Sequence, residues 1–282
     1  MKDILELLKL KISYNERKKE IEEYIKKNKS YKTLNLTVAS TSLNFSKTSY
    51  SITPYGMIDG ESSNNKDGIV LFGYEFIDNI EGDIEEENYK KNLSIYDFIF
   101  PMEKEYSINL KEFPSFSIYF NPKDENYYIK DFNIGIGALM KIKKHKFENN
   151  ILINIGANYL VICLEKDNII IKIFNNSILE NKENEKKFEI KKFPINKKSD
   201  KIITIGRSKK CDLVIDDMMM SKIQSSIKYN SKENAFYLYD GNFEKESMNG
   251  TWIYIVNPIL ITDNFIFKAE HTLFVVNLIQ NK

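Results

Sequence analysis

The chain has 282 residues, 42% of them hydrophobic and 13% aromatic, enough to bury the core of one or two domains. A net charge of +1 argues against a general electrostatic attraction to nucleic acid or membrane, so any anion site must be local. Cys163 and Cys211, each in an apolar run, read as buried thiols of a reducing compartment, and with the distant His145 and His271 they lack the ligand spacing of a zinc site.

Residues 1–30 form the first segment, read as one helix to about residue 28. Ile4, Leu5, Leu8 and Ile12 recur at helical spacing, and Ile21, Tyr24 and Ile25 repeat the pattern after Tyr14-Asn15-Glu16-Arg17. Glu6, Lys9 and Lys11 interrupt the leucines, far short of the roughly 18 apolar residues of a membrane span. With no secretory signal either, the expected location is cytoplasmic or nuclear, without a membrane partner. The apolar face needs a cover, either its own domain or a partner helix.

After Lys32 the texture changes to short runs of Ile, Val, Phe and Tyr between Asn, Lys, Gly, Ser and Asp turns. Strands are expected at 34–39, 50–53, 69–73, 116–120, 152–155, 159–164 and 169–174, which argues for β-sandwiches. The acidic run 82–87 lacks the oxygen-ligand spacing of a calcium loop, and 175–187, rich in Asn, Glu and Lys, reads as a solvated loop. Gly135 and Gly137 are followed by Met140 and strand-like sequence, not by the third glycine and helix of a dinucleotide site. The lysines around His145 read as an exposed turn, because the segment lacks the interleaved aromatics of a single-strand platform.

The two halves repeat one another. Residues 127–131 match 236–240, 150–164 match 264–278, 116–121 match 225–230, 97–100 match 212–215, and 71–74 match 204–207. The expected organisation is a helix (1–30) followed by two sandwiches of one fold in tandem, 33–166 and 167–282.

The second half carries the chemistry. Ile205-Gly206-Arg207, Ser221-Lys222-Ile223-Gln224 and Met248-Asn249-Gly250-Thr251 are polar sets strung between apolar strands. A phosphate monoester carries about −1.5 to −2 charges and three acceptor oxygens, so a selective site needs cationic and hydroxyl donors in fixed geometry. Arg207, Ser221 and Lys222 supply such donors, and Gly206 lets the chain turn at a strand end and leave the guanidinium pointing outward.

The order and spacing of these residues resemble the forkhead-associated (FHA) domain. The resemblance implies an all-β fold of tandem FHA-type sandwiches after the N-terminal helix, binding phosphothreonine peptides without catalysis, metal or cofactor. It implies that Arg207 contacts peptide backbone or phosphate, Ser221 bonds a phosphate oxygen, Lys222 adds charge and Asn249 holds the peptide main chain. Gly206, Gln224, Gly250 and Thr251 would support the loops, Gln224 standing where a histidine is usual. Met219 and Met248 stand where a basic residue and a serine or threonine are frequent.

In the first half Tyr74 stands opposite Arg207, Tyr106 and Ser107 opposite Ser221 and Lys222, and Ile136-Gly137-Ala138 opposite Asn249-Gly250-Thr251, so that copy is expected to have lost its site. No nucleophile, base and orienting residue form a catalytic set. Two readings follow: a phosphothreonine-dependent adaptor acting through the second sandwich, or a phosphate-independent scaffold with a vestigial pocket.

Overall fold

The structure, a computed structural model, describes every residue except 1, 29, 44, 59–66, 75–96, 101–113, 134–136, 167, 176–188, 196–201, 270–271 and 282. The acidic run 82–87, the stretch 106–107 opposite Ser221 and Lys222, and Ile136 therefore lie outside the described residues. The chain divides into two compact units, Met1–Ala138 with Ile255–Lys282, and Leu139–Tyr254.

The first unit holds α1 (Lys2–Leu7), α2 (Tyr14–Lys27), β1 (Lys32–Thr41), β2 (Ser49–Thr53), β3 (Gly56–Met57), β4 (Ile69–Tyr74), β5 (Phe98–Phe100), β6 (Phe116–Asn121) and β7 (Asn126–Asp131). The second holds β8 (Ala138–Ile142, entering at Leu139), β9 (Lys144–Phe147), β10 (Ile151–Ile155), β11 (Asn158–Leu164), β12 (Asn168–Asn175), β13 (Glu189–Pro194), β14 (Ile202–Gly206), β15 (Leu213–Val214), β16 (Ser225–Asn230), β17 (Ala235–Asp240) and β18 (Thr251–Tyr254). The chain then returns to the first unit with β19 (Ile259–Leu260), β20 (Phe265–Ala269) and β21 (Thr272–Gln280). The chain is all-β after its short helices.

The strands of each unit fall in two layers. In the first, β3-β2-β1-β21-β20 faces β19-β7-β6-β4-β5, with Phe267 and Phe274 of one sheet meeting Phe116, Phe98 and Phe100 of the other edge-on at 5.8 to 6.2 Å. Such ring pairs add to the apolar burial of the sandwich core. In the second, β13-β12-β11-β10-β18-β8 faces β15-β14-β16-β17-β9, and Ile169 and Pro194 share an apolar cleft with Ile203, Ile227 and Phe236.

The sequence repeat reappears as register. Phe72 pairs with Phe98 and Phe116 in the first unit as Ile205 pairs with Leu213 and Ser225 in the second. Phe116 pairs with Asp131 as Ser225 pairs with Asp240. The hairpins agree as well: Ile151 pairs with Ile162 and Ile155 with Asn158, as Phe265 pairs with Val276 and Ala269 with Thr272.

The destination of those hairpins differs from the tandem division at 166/167. The hairpin that follows the first half of the repeat, β10–β11, lies against β12 in the second unit, with Leu164 opposite Ile169. The hairpin that follows the second half, β20–β21, lies against β1 in the first, with Leu278 opposite Leu34. Apolar alternation specifies which face of a hairpin is buried but not which of two similar sheets receives it.

The N-terminal segment is two helices, not one. The chain breaks at Lys9, which has φ +56°, and restarts at Ser13, whose hydroxyl accepts from Glu16 N while the Glu16 carboxylate accepts from Ser13 N. This capping box was legible as Ser13-x-x-Glu16. Ile4, Leu5 and Leu8 bury against Ile69, Leu71, Tyr119 and Phe132. On α2, Tyr24 meets the Phe120 ring at 5.0 Å and Arg17, 1% exposed, donates to Phe120 O at 2.6 Å. Burial pulls the Arg17 guanidinium below its ordinary pKa and raises that of its charge partner Asp67. The face expected to meet its own domain or a partner helix is thus covered by its own unit.

Replacing Arg17 with Ala removes a buried anchor and leaves Asp67 without its cation; the expected loss is about 3 kcal/mol of unfolding free energy, measured by urea titration. A fragment spanning residues 139–254, which contains every strand of the second unit, is expected to unfold cooperatively by circular dichroism. A 167–282 fragment, which lacks β8 to β11, is not.

Candidate functional site

The loops around Arg207, Ser221 and Asn249 are brought together at one end of the second unit by backbone bonds. Arg207 N donates to Ser221 O at 3.2 Å and Ser208 N to Lys222 O at 3.1 Å, so the end of β14 runs alongside the 221–222 segment. Gly206 makes this approach possible. A Cβ there would stand 2.3 Å from Lys222 O and 2.9 Å from Ile223 Cα. Its role is close backbone contact, not the sharp turn the sequence suggests; Gly250, with φ +76°, is the glycine that turns.

Gln224 is fully buried and ties the loops to one another. Its Oε1 accepts from Ser221 N at 2.9 Å, and its Nε2 donates to Ser247 Oγ at 2.7 Å and to Gly250 O at 2.9 Å. The glutamine amide can donate and accept at once, which is what a bridge between an N–H and two oxygens requires. Beneath it, the Asp240 carboxylate accepts from Ser247 N, Ser247 Oγ and Thr251 Oγ1, and Thr251 Oγ1 lies 2.8 Å from Ser225 Oγ. The supporting residues Gly206, Gln224, Gly250 and Thr251 therefore form one framework.

On that framework the candidate binding groups differ in exposure. Ser221, half-buried, accepts through Oγ from Met248 N at 2.9 Å, which leaves its hydroxyl proton for another acceptor. Asn249 Nδ2 donates to Met219 O at 2.6 Å, and Asn249 O accepts from Trp252 Nε1 at 2.9 Å. Arg207 and Lys222 are exposed, and among the described residues neither side chain has an ion-pair partner. The arrangement presents two cations and a hydroxyl donor, suited to an oxyanion with several acceptor oxygens.

Sequence reasoning missed the support behind the 217–220 loop. The Asp217 carboxylate accepts from Met219 N at 2.8 Å, Ala157 N at 3.0 Å and Asn158 Nδ2 at 2.8 Å, pinning the approach to Ser221 onto the β10–β11 turn. At Gly156, φ +58°, a Cβ would stand 2.3 Å from Asp217 Oδ2. Gly156-Ala157-Asn158 reads as an ordinary turn, and its contact with Asp217 follows only from the hairpin's placement in this unit. Cys211 Sγ donates to Lys222 O at 3.1 Å and so braces the same segment, and burial raises its thiol pKa.

Among the described residues, the first unit repeats part of this backbone framework. Ser115 N bonds Phe72 O as Gln224 N bonds Ile205 O, and Phe132 N bonds Ser115 O as Gly241 N bonds Gln224 O. Gly137 shares the +76° φ of Gly250, and the Asp131 carboxylate accepts from Ala138 N where that of Asp240 accepts from Thr251 Oγ1. Ser115, which stands at the Gln224 position, lacks an amide that could donate and accept at once.

A β-sandwich whose loops gather cationic and hydroxyl donors around a buried glutamine has the makings of a binding module. Residues 203–268 match the family model of the FHA domain, a phosphopeptide-binding interaction module and not a catalytic one, so the chain carries an FHA domain in its C-terminal part. The match starts in β14 of the second unit and ends in β20 of the first. No curated protein and no solved structure matches the chain. Among the described residues, no helix is long and apolar enough to cross a membrane.

Replacing Gln224 with Ala leaves Ser221 N and the buried Gly250 O without these partners and takes one of two partners from Ser247 Oγ. The expected loss is about 3 kcal/mol, read from chemical denaturation of the full chain. Asp217→Ala is expected to cost less, about 1 to 2 kcal/mol, because Met219 N and Ala157 N are exposed enough to bond water.

Proposed function

We propose that this protein is a phosphothreonine-dependent adaptor that binds its partner through the second unit, with Arg207, Ser221, Lys222 and Asn249 as the contact residues. The observation that carries the reading is the geometry at Ser221. Its Oγ is oriented by Met248 N, its backbone N by Gln224 and its carbonyl by Arg207 N, beside two cations without ion-pair partners among the described residues. A hydroxyl held on three sides can donate to a phosphate oxygen with little further loss of freedom. Arg207 and Lys222 then supply charge-assisted bonds, each on the order of 1.5 to 3 kcal/mol before the costs of association. The sum is consistent with micromolar affinity, about −8 kcal/mol.

The first unit, in this reading, is a sister sandwich that gave up phosphate binding and supplies a rigid frame for the helices. The proposed setting is the cytoplasm or nucleus, where phosphorylated partners occur. No cofactor or metal enters the mechanism.

The test is a degenerate phosphothreonine peptide library presented to the full chain and to Arg207→Ala. Phosphorylation-dependent binding that drops at least tenfold in the variant is the expected result. Equal capture of phosphorylated and unphosphorylated peptides, or indifference to the substitution, favours the phosphate-independent scaffold. Binding is also expected to weaken as pH falls through about 6, because the phosphate then loses its second negative charge. Fluorescence polarisation with one phosphopeptide between pH 5 and 8 measures this.

A further inference from the structure

The site residues are flanked by apolar side chains that the fold does not cover. Met218 is 91% exposed, Met219 64% and Met248 88%. In most soluble surfaces such side chains are scattered singly, whereas these spring from the two loops that carry Ser221 and Asn249. The loops are bonded to each other through the methionines' own backbones: Met219 O accepts from Asn249 Nδ2, and Met248 N donates to Ser221 Oγ. Met219 N is further held by Asp217. Fixed backbones thus present flexible, polarizable side chains beside the oxyanion donors, while Met220, next in the same run, turns inward and is 2% exposed.

Resting on the phosphopeptide reading above, we infer that the ligand is a phosphothreonine peptide carrying a large aliphatic side chain close to the phosphorylated residue, gripped by Met218, Met219 and Met248. An unbranched thioether adapts to aliphatic chains of differing shape, so the rim selects for apolarity and size more than for one residue. The cations at Arg207 and Lys222 are taken up by the phosphate, and the methionine side chains themselves offer an acidic flank no hydrogen-bond donor. Specificity then comes from a rim that gains nothing from polar flanks.

Two phosphothreonine peptides that differ only in having leucine and isoleucine, or serine, beside the phosphothreonine are titrated into the full chain by fluorescence polarisation. The expected result is about tenfold tighter binding of the aliphatic peptide, as burial of one such side chain predicts. In Met219→Ser/Met248→Ser the ratio of the two affinities falls to about one, and in Met219→Leu/Met248→Leu it is kept. All three side chains are solvent-exposed, so unchanged melting temperatures check that the fold is intact. Equal affinities in the wild type, a ratio that survives the serine substitutions, or tightest binding to an acidic-flanked peptide overturns the inference while phosphorylation dependence leaves the phosphopeptide reading standing. Loss of phosphorylation dependence for every peptide overturns both.

Discussion

The antiparallel pairing that closes each sandwich, β21 on β1 and β11 on β12, is the constraint on which the other features depend. Leu34, Leu36 and Val38 bury alongside Phe274 and Val276, and Ile169, Ile171 and Ile173 alongside Leu160 and Ile162. A hairpin is marginal in water and becomes stable only by joining a sheet with an apolar face. Because β1 waits for β21, the first unit needs both ends of the chain, whereas the second draws only on 139–254. Loop closure over more than half the chain slows the first pairing relative to the second, so the unit with the candidate site is the one whose contacts are more local.

That locality reaches the site through neutral bonds and two carboxylates. Gln224 links Ser221, Ser247 and Gly250, Asp240 holds Ser247 and Thr251 from below, and Asp217 fastens the 217–220 loop to the β10–β11 turn. Each such bond contributes only about 1 kcal/mol net, but leaving a buried partner unmet costs more, so the network favours one loop arrangement over its neighbours. The hairpin that closes the sheet is therefore also the one that steadies the approach to Ser221.

The candidate binding residues were legible in the sequence because their types are chemically unusual in combination: an arginine after a strand-end glycine, a Ser-Lys pair and an Asn-Gly turn. The strand repeat was legible too, since period-two apolar runs record register directly. The exchange of hairpins was not, because 150–164 and 264–278 carry the same alternation and bury the same face in either sheet. Asp217 and Gly156 were hidden with it, being 61 positions apart and joined only by that placement. The break at Lys9 was masked by leucines that keep helical spacing across it, although Ser13 and Glu16 signal a new helix.

An overall charge of +1 and the proposed local anion site are compatible because of how the second unit distributes its charges. Lys143, Lys146 and Lys191 lie within 3.0 Å of Glu246, Glu148 and Glu189, which neutralises the flanks at short range. Asp212, the carboxylate two residues before β15's end, is turned to the Thr204 N–H and hydroxyl, and Asp217 to the hairpin turn. Asp212 and Asp217 thereby bond backbone, hydroxyl and amide donors instead of Arg207 or Lys222. At a Debye length of about 8 Å, charges paired elsewhere contribute little at the loops, so the field there is set largely by the exposed cations on them, Arg207, Lys209, Lys210 and Lys222.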